Sequence, residues 1–164
     1  MIRPTWRFLF GHPAHFFALG FGSGLSPVAP GTIGSLLAVV LFRLSQPWST
    51  APYIPLVLAA LFIIGTWLCA ITGRGLGVTD HGAMVWDEMV AMWLVLFFTP
   101  TTLLWQAFAF VLFRIFDIAK PPPIRYFDAT LKTGFGVMFD DLIAAAYALA
   151  VVLIGQLFIS GVNA

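Results

Sequence analysis

Carboxylates carry most of the chemistry open to this chain, and they are confined to one stretch. All seven acids (Asp80, Asp87, Glu88, Asp117, Asp128, Asp140 and Asp141) fall between residues 80 and 141. Two pairs are adjacent, Asp87-Glu88 and Asp140-Asp141, and each stands where an uncharged apolar run begins. Acids beside a membrane-length run are costly unless paired, hydrated or coordinated. For Asp87-Glu88 a solvated helix end and a working site are both open; for Asp140-Asp141, at the mouth of the run 142–159, solubility is the poorer explanation. Asp117 follows Arg114 by three positions, so the two share a helix face. They read either as a plain ion pair or as a metal-binding carboxylate beside an anion-binding cation. Lys120, Pro121-Pro122-Pro123 and Arg125 come next, and the prolines predict a stopped helix followed by a rigid extended connector. Hard oxygen donors with no cysteine partner suit Mg2+, which binds through one or two carboxylates, waters and a substrate phosphate.

Other polar positions read less sharply. Asp80 suits the N-cap of a helix running through His81 to Glu88. On such a helix His81 would lie about 10.5 Å from Glu88, too far to share an ion with it, leaving general acid as its possible role. His12 and His15 read as interfacial, and Cys69 as a small buried hydrophobe that excludes an internal disulfide. The segment Gly20–Ser35, rich in Gly, Pro, Ser and Thr, lacks the lysine of a nucleotide-binding P-loop. It is either a surface turn or a re-entrant loop whose backbone N–H groups, with Ser23 and Thr32, would meet a phosphate.

The elements that must position these residues follow from composition. The chain has 164 residues, about one domain, of which 60% are hydrophobic and 9% charged, with mean hydropathy +0.97. A soluble domain carries about 25% charged residues, so an integral membrane protein is expected. A net charge of +1 leaves no basic footprint for nucleic acid. No cleaved signal peptide is evident in the first residues. Tyr53–Ile71 and Leu142–Ile159 are uncharged and long enough to span a bilayer, which takes about 20 residues. Shorter apolar runs are Ile33–Phe42, Met89–Phe98 and Leu103–Phe113. The last two flank Thr99-Pro100-Thr101-Thr102, where a hairpin is preferred to a single kinked helix because it returns Glu88 and Asp117 to one face. Arg74, Arg114, Lys120, Arg125 and Lys132 fall on that face and Arg43 opposite, which makes the acid-bearing face cytoplasmic by the positive-inside rule. The expected fold is all-α and polytopic, a single domain over 1–164 with four or five membrane-embedded helices including a short hairpin.

Four motifs, in order, resemble the phosphatidylglycerophosphatase A family: Gly20-Phe-Gly-Ser-Gly-Leu-Ser-Pro-Val-Ala-Pro-Gly-Thr-Ile-Gly-Ser35, Asp80-His-Gly-Ala-Met-Val-Trp-Asp-Glu88, Phe113-Arg-Ile-Phe-Asp-Ile-Ala-Lys-Pro-Pro-Pro-Ile-Arg125 and Gly136-Val-Met-Phe-Asp-Asp141. One departure is Thr133-Gly134, where the family often has Gly-Gly. The resemblance implies Mg2+-dependent hydrolysis of the terminal phosphomonoester of phosphatidylglycerophosphate, giving phosphatidylglycerol and inorganic phosphate at a bacterial inner membrane. It places metal ligation on Glu88, Asp140 and Asp141, with Asp87 or Asp117 completing the shell, and phosphate binding on Arg114, Lys120 and Arg125. No nucleophile stands out and no Asp-x-Asp-x-[Thr/Val] run is present, so attack by a metal-activated water is expected, with a carboxylate such as Asp87 as base. A small transporter or channel subunit using intramembrane acids is the alternative. A phosphatidyltransferase is disfavoured, since the Asp-Gly-x-x-Ala-Arg run is missing.

Overall fold

A computed structural model describes residues 3–46 and 48–162, and among these every regular element is helical. Two short helices open the chain, α1 (Trp6–Leu9), capped by the Thr5 hydroxyl, and α2 (Pro13–Ala18), capped by the His12 ring. A tight 3-10 turn, Gly20–Leu25, leads to α3 (Pro30–Leu44), which starts on a proline as the missing N–H of that residue allows. Then come α4 (Ile54–Leu76), stopped by Gly77 at φ 74°, α5 (Trp86–Phe97), α6 (Leu103–Ala119), α7 (Ile124–Thr130) and α8 (Gly134–Val162). The left-handed Gly77 is the usual helix stop, conformationally open only to a residue without Cβ strain.

Helices α5 and α8 pack against each other and each against α4 and α6, and α3 lies on α5. Ala144, Ala145 and Ala148 of α8 are fully buried against Met89, Met92, Leu96 and Phe113, the small side chains allowing close helix approach. A second cluster joins α1 and α2 to Leu68, Cys69, Met84, Trp86 and Met138. Outside these cores the polarity is inverted. Leu56, Ile63, Trp67, Leu157 and Phe158 are 59–75% exposed, and the most apolar windows of α4 and α8 are only 22% buried. A soluble core helix of such hydropathy would be covered; this exposure matches lipid as solvent.

Two helices, Ile54–Leu76 and Gly134–Ile159 within α8, are long and apolar enough to cross a membrane, fewer than the four or five expected. Helices α3, α5 and α6 have 15, 12 and 17 residues, short of the roughly 20 needed. The run 89–113 does break: Phe98–Thr102 separates α5 from α6, with the Thr99 hydroxyl closing α5 on the Val95 carbonyl at 2.7 Å. Two local expectations fail. Asp80 caps no helix, because α5 starts only at Trp86 behind a turn at 80–85, so a helical spacing from His81 to Glu88 does not apply. The three prolines form a turn with a cis Pro122–Pro123 bond, not an extended connector, and the Ile124 N–H closes it on Pro121.

Candidate active site

The first turn of α5 meets the third turn of α8, a helix that begins eight residues before the uncharged run 142–159, so that Asp140 and Asp141 lie inside the helix rather than at its mouth. Oxygens of Asp87, Glu88 and Asp141 come within 4.8 Å of one another, two side chains buried and Glu88 nearly so. One oxygen on each, Asp87 Oδ1, Glu88 Oε2 and Asp141 Oδ2, is buried without a hydrogen-bond partner. From α6, Arg114 Nη1 lies 2.7 Å from Asp117 Oδ2 and 3.9 Å from Glu88 Oε1, and Asp117 abuts Asp141. Four carboxylates thus share one buried region with a single guanidinium. Such an excess of buried negative charge is unfavourable unless protons or a cation offset it. Burial, then mutual repulsion with neighbouring acids, pushes the Asp87 and Glu88 carboxyls upward from their usual range. Unpartnered oxygens converging from two helices are a donor set that fits a hard divalent cation.

The site residues expected from sequence separate into two groups. Asp87, Glu88, Asp117, Asp141 and Arg114 come together. Asp140, one position from Asp141 but rotated about 100° on α8, turns to Lys120 instead, its Oδ2 2.6 Å from Nζ. Lys120 also holds Asp128 at 3.1 Å. Burial alone would lower the Lys120 ammonium, but these two bonds outweigh it and hold it above the usual lysine range. Lys120 is therefore engaged by two acids rather than open to a phosphate. It sits at φ 43° as the C-cap of α6, which aims the chain into the proline turn. Arg125 is exposed on α7 and forms no ion pair among the described residues.

Segment 20–35 lines the site rather than forming a detached turn. A Cβ on Gly31 would collide with Glu88 Oε1 and lie 3.2 Å from Arg114 Nη2, so only glycine lets the first turn of α3 close on these groups. Thr32 is half-buried in that same turn, while the Ser23 hydroxyl donates to the Gly20 carbonyl at 2.8 Å and braces the preceding turn. His81 is buried beside this segment, its Nδ1 accepting from the Ala83 N–H at 3.1 Å. At the opposite end of the bundle, Arg43 Nη1 donates to Gln106 Oε1 at 2.7 Å, away from all the acids.

Sequence reasoning missed two contributors. Ser35 is fully buried; its hydroxyl donates to the Gly31 carbonyl at 2.8 Å and accepts from Arg114 Nη1 at 3.3 Å, fixing the guanidinium. A serine four residues after a helix-opening glycine was the available signal. Asp128 as the second Lys120 partner had none, since a turn separates them. The departure at Thr133 also finds a use: its Oγ1 accepts from the Gly136 N–H at 3.2 Å, capping α8.

The profile of the family described as PgpA, phosphatidylglycerophosphatase A, matches residues 16–156. The chain is 45% identical over 141 residues to "Phosphatidylglycerophosphatase A" of Escherichia coli (strain K12), across 84% of this chain and 80% of that relative. It is 48% identical over 143 residues to the protein of the same name from Haemophilus influenzae (strain ATCC 51907 / DSM 11121 / KW20 / Rd), across 86% and 87% of the two lengths. No solved structure matches the chain. The match takes in every residue of the carboxylate cluster, all of α4 and most of α8, and on that extent and identity the chain belongs to the phosphatidylglycerophosphatase A family.

Proposed function

We propose that this chain hydrolyses the terminal phosphomonoester of phosphatidylglycerophosphate to phosphatidylglycerol and inorganic phosphate, with Mg2+ held by Asp87, Glu88 and Asp141. The observation that carries the reading is the convergence of these three acids, each with an unpartnered buried oxygen, beside the uncharged part of α8, a helix suited to a bilayer. This set differs from the one expected from sequence, with Asp87 in place of Asp140 and Asp117 bound to Arg114.

Mg2+ bound there would neutralise phosphate charge and make a water nucleophilic near neutral pH. The chain's own groups do the rest. Asp87, whose Oδ1 is buried without a hydrogen-bond partner, would accept the proton of the attacking water in its ionised form, the form a bound cation favours. Arg114 is fixed through Nη1 by Ser35 and Asp117, and its buried Nε–H, which has no partner, is a donor for a phosphate oxygen. Lys120 keeps Asp140 in place, so that α8 presents Asp141 to the cluster. The basic residues at this end, against Arg43 at the other, support a cytoplasmic active site in a bacterial inner membrane.

A transporter would carry its acids near mid-bilayer; here Asp87 and Glu88 occupy the first turn of α5, and Asp141 precedes the uncharged part of α8. Phosphate release from phosphatidylglycerophosphate in detergent, with and without chelator, for wild type and Asp141→Asn, tests the reading. Release that survives both chelation and the substitution refutes it.

A further inference from the structure

Below the carboxylate cluster an apolar cavity of about 430 Å3 lies between α4, α5 and α8. Ala59 and Phe62 line it from α4, Val90, Leu94 and Phe98 from α5 and its end, and Leu142 from α8. Asp87, Val90 and Leu94 are three and four positions apart, so a single face of α5 carries the Asp87 carboxylate at its first turn and the cavity wall beneath it. Leu142 directly follows Asp141 on α8. From Val90 to Phe98 the wall runs eight residues along the axis, about 12 Å into the apolar zone. A second apolar cavity of about 340 Å3, lined by Ser45, Trp48 and Val57, lies on the other side of Leu58, towards the C-terminal end of α3.

We propose that the α4–α5–α8 cavity receives an acyl chain of the lipid whose phosphate sits at the carboxylate cluster, an inference that rests on the lipid-phosphatase reading. The two ends of one lipid are tethered: with its terminal phosphate at the cation site of Asp87, Glu88 and Asp141, the glycerol–phosphodiester–glycerol linker passes Val90 and Leu142, and the acyl chain follows the wall deeper, towards Leu94 and Phe98. The wall of this cavity begins one helical turn past Asp87 and one residue past Asp141, whereas no residue lining the second cavity lies next to, or one turn from, those acids in the chain. Tail binding here selects a membrane lipid over a soluble phosphomonoester of the same headgroup chemistry.

Ala59 is exposed at the cavity wall, so Ala59→Trp fills the space without touching the core; Val57→Trp fills the second cavity as control. Phosphate release is measured on dipalmitoyl and dihexanoyl phosphatidylglycerophosphate in detergent. Ala59→Trp is expected to lower kcat/KM for the long-chain lipid about tenfold, mostly through KM, leaving the short-chain lipid and all Val57→Trp values unchanged. Equal losses on both chain lengths, or none, overturn the proposal. Independently of activity, a phosphatidic acid carrying a diazirine on its acyl chain is expected to label residues 90–98 more than a phosphatidylcholine with the same chain does. Equal labelling by the two lipids overturns the proposal as well. Failure of wild type to release phosphate from either lipid counts against the phosphatase reading alone, and the labelling contrast then decides the cavity.

Discussion

Asp140 and Asp141 are chain neighbours with different work, because a helix turns about 100° per residue. Asp141 faces Asp87, Glu88 and Asp117, while Asp140 is spent on Lys120. Asp141→Asn is expected to lower kcat about a thousandfold, and Asp140→Asn, which acts only through positioning, about tenfold to a hundredfold. Phosphate release from the purified variants measures both, and a reversed order would contradict the assignment. Lys120→Met removes the partner of a buried carboxylate and is expected to lower unfolding stability by about 1–3 kcal/mol, read as a lower Tm in detergent. The Arg114–Asp117 pair was legible from spacing alone, since three residues on a helix place side chains together. The partners of Lys120 were not, because its left-handed backbone and the proline turn after it are tertiary outcomes.

The N-terminal turn of α3 and the third turn of α8 set the geometry of the site. Gly31→Ala drives a methyl group into the space of Glu88 Oε1 and is expected to abolish most activity while the remaining chain folds. Circular dichroism with phosphate release separates these two results. Thr133→Ala loses the cap of α8 and is expected to cost about 1 kcal/mol of stability with little change in kcat, since no atom of Thr133 reaches the acids. Hydropathy located α4 and the uncharged part of α8, because a long uncharged run is helical in lipid, but it missed that α8 starts at Gly134 and carries Asp140 and Asp141 within it. It overcounted the membrane-length helices, since α3, α5 and α6 are apolar without reaching full length and are placed by packing.

At the scale of the whole molecule, three helices from separate parts of the sequence converge on a region of surplus negative charge. A cation that binds this region only in the folded state stabilises that state by mass action. Mg2+ at about a hundred times its Kd is expected to add about 2.7 kcal/mol to unfolding stability, and the Glu88→Gln, Asp141→Asn double variant to lose that gain. Thermal unfolding with and without chelator measures it apart from catalysis. An unchanged Tm in wild type would mean that the orphaned oxygens are satisfied by protons instead.

The sequence by itself determined the helical class, the two runs long enough for a bilayer, the confinement of every acid to 80–141 and the family whose motifs those acids lie in, because composition and short-range spacing encode all of these. Only the tertiary structure decided which acid of each pair faces the cluster, that Lys120 serves Asp140, and that Gly31 and Ser35 close the site. Those choices depend on how α3, α5, α6 and α8 are rotated about their axes, which is set by packing between segments far apart in the chain rather than by any local pattern.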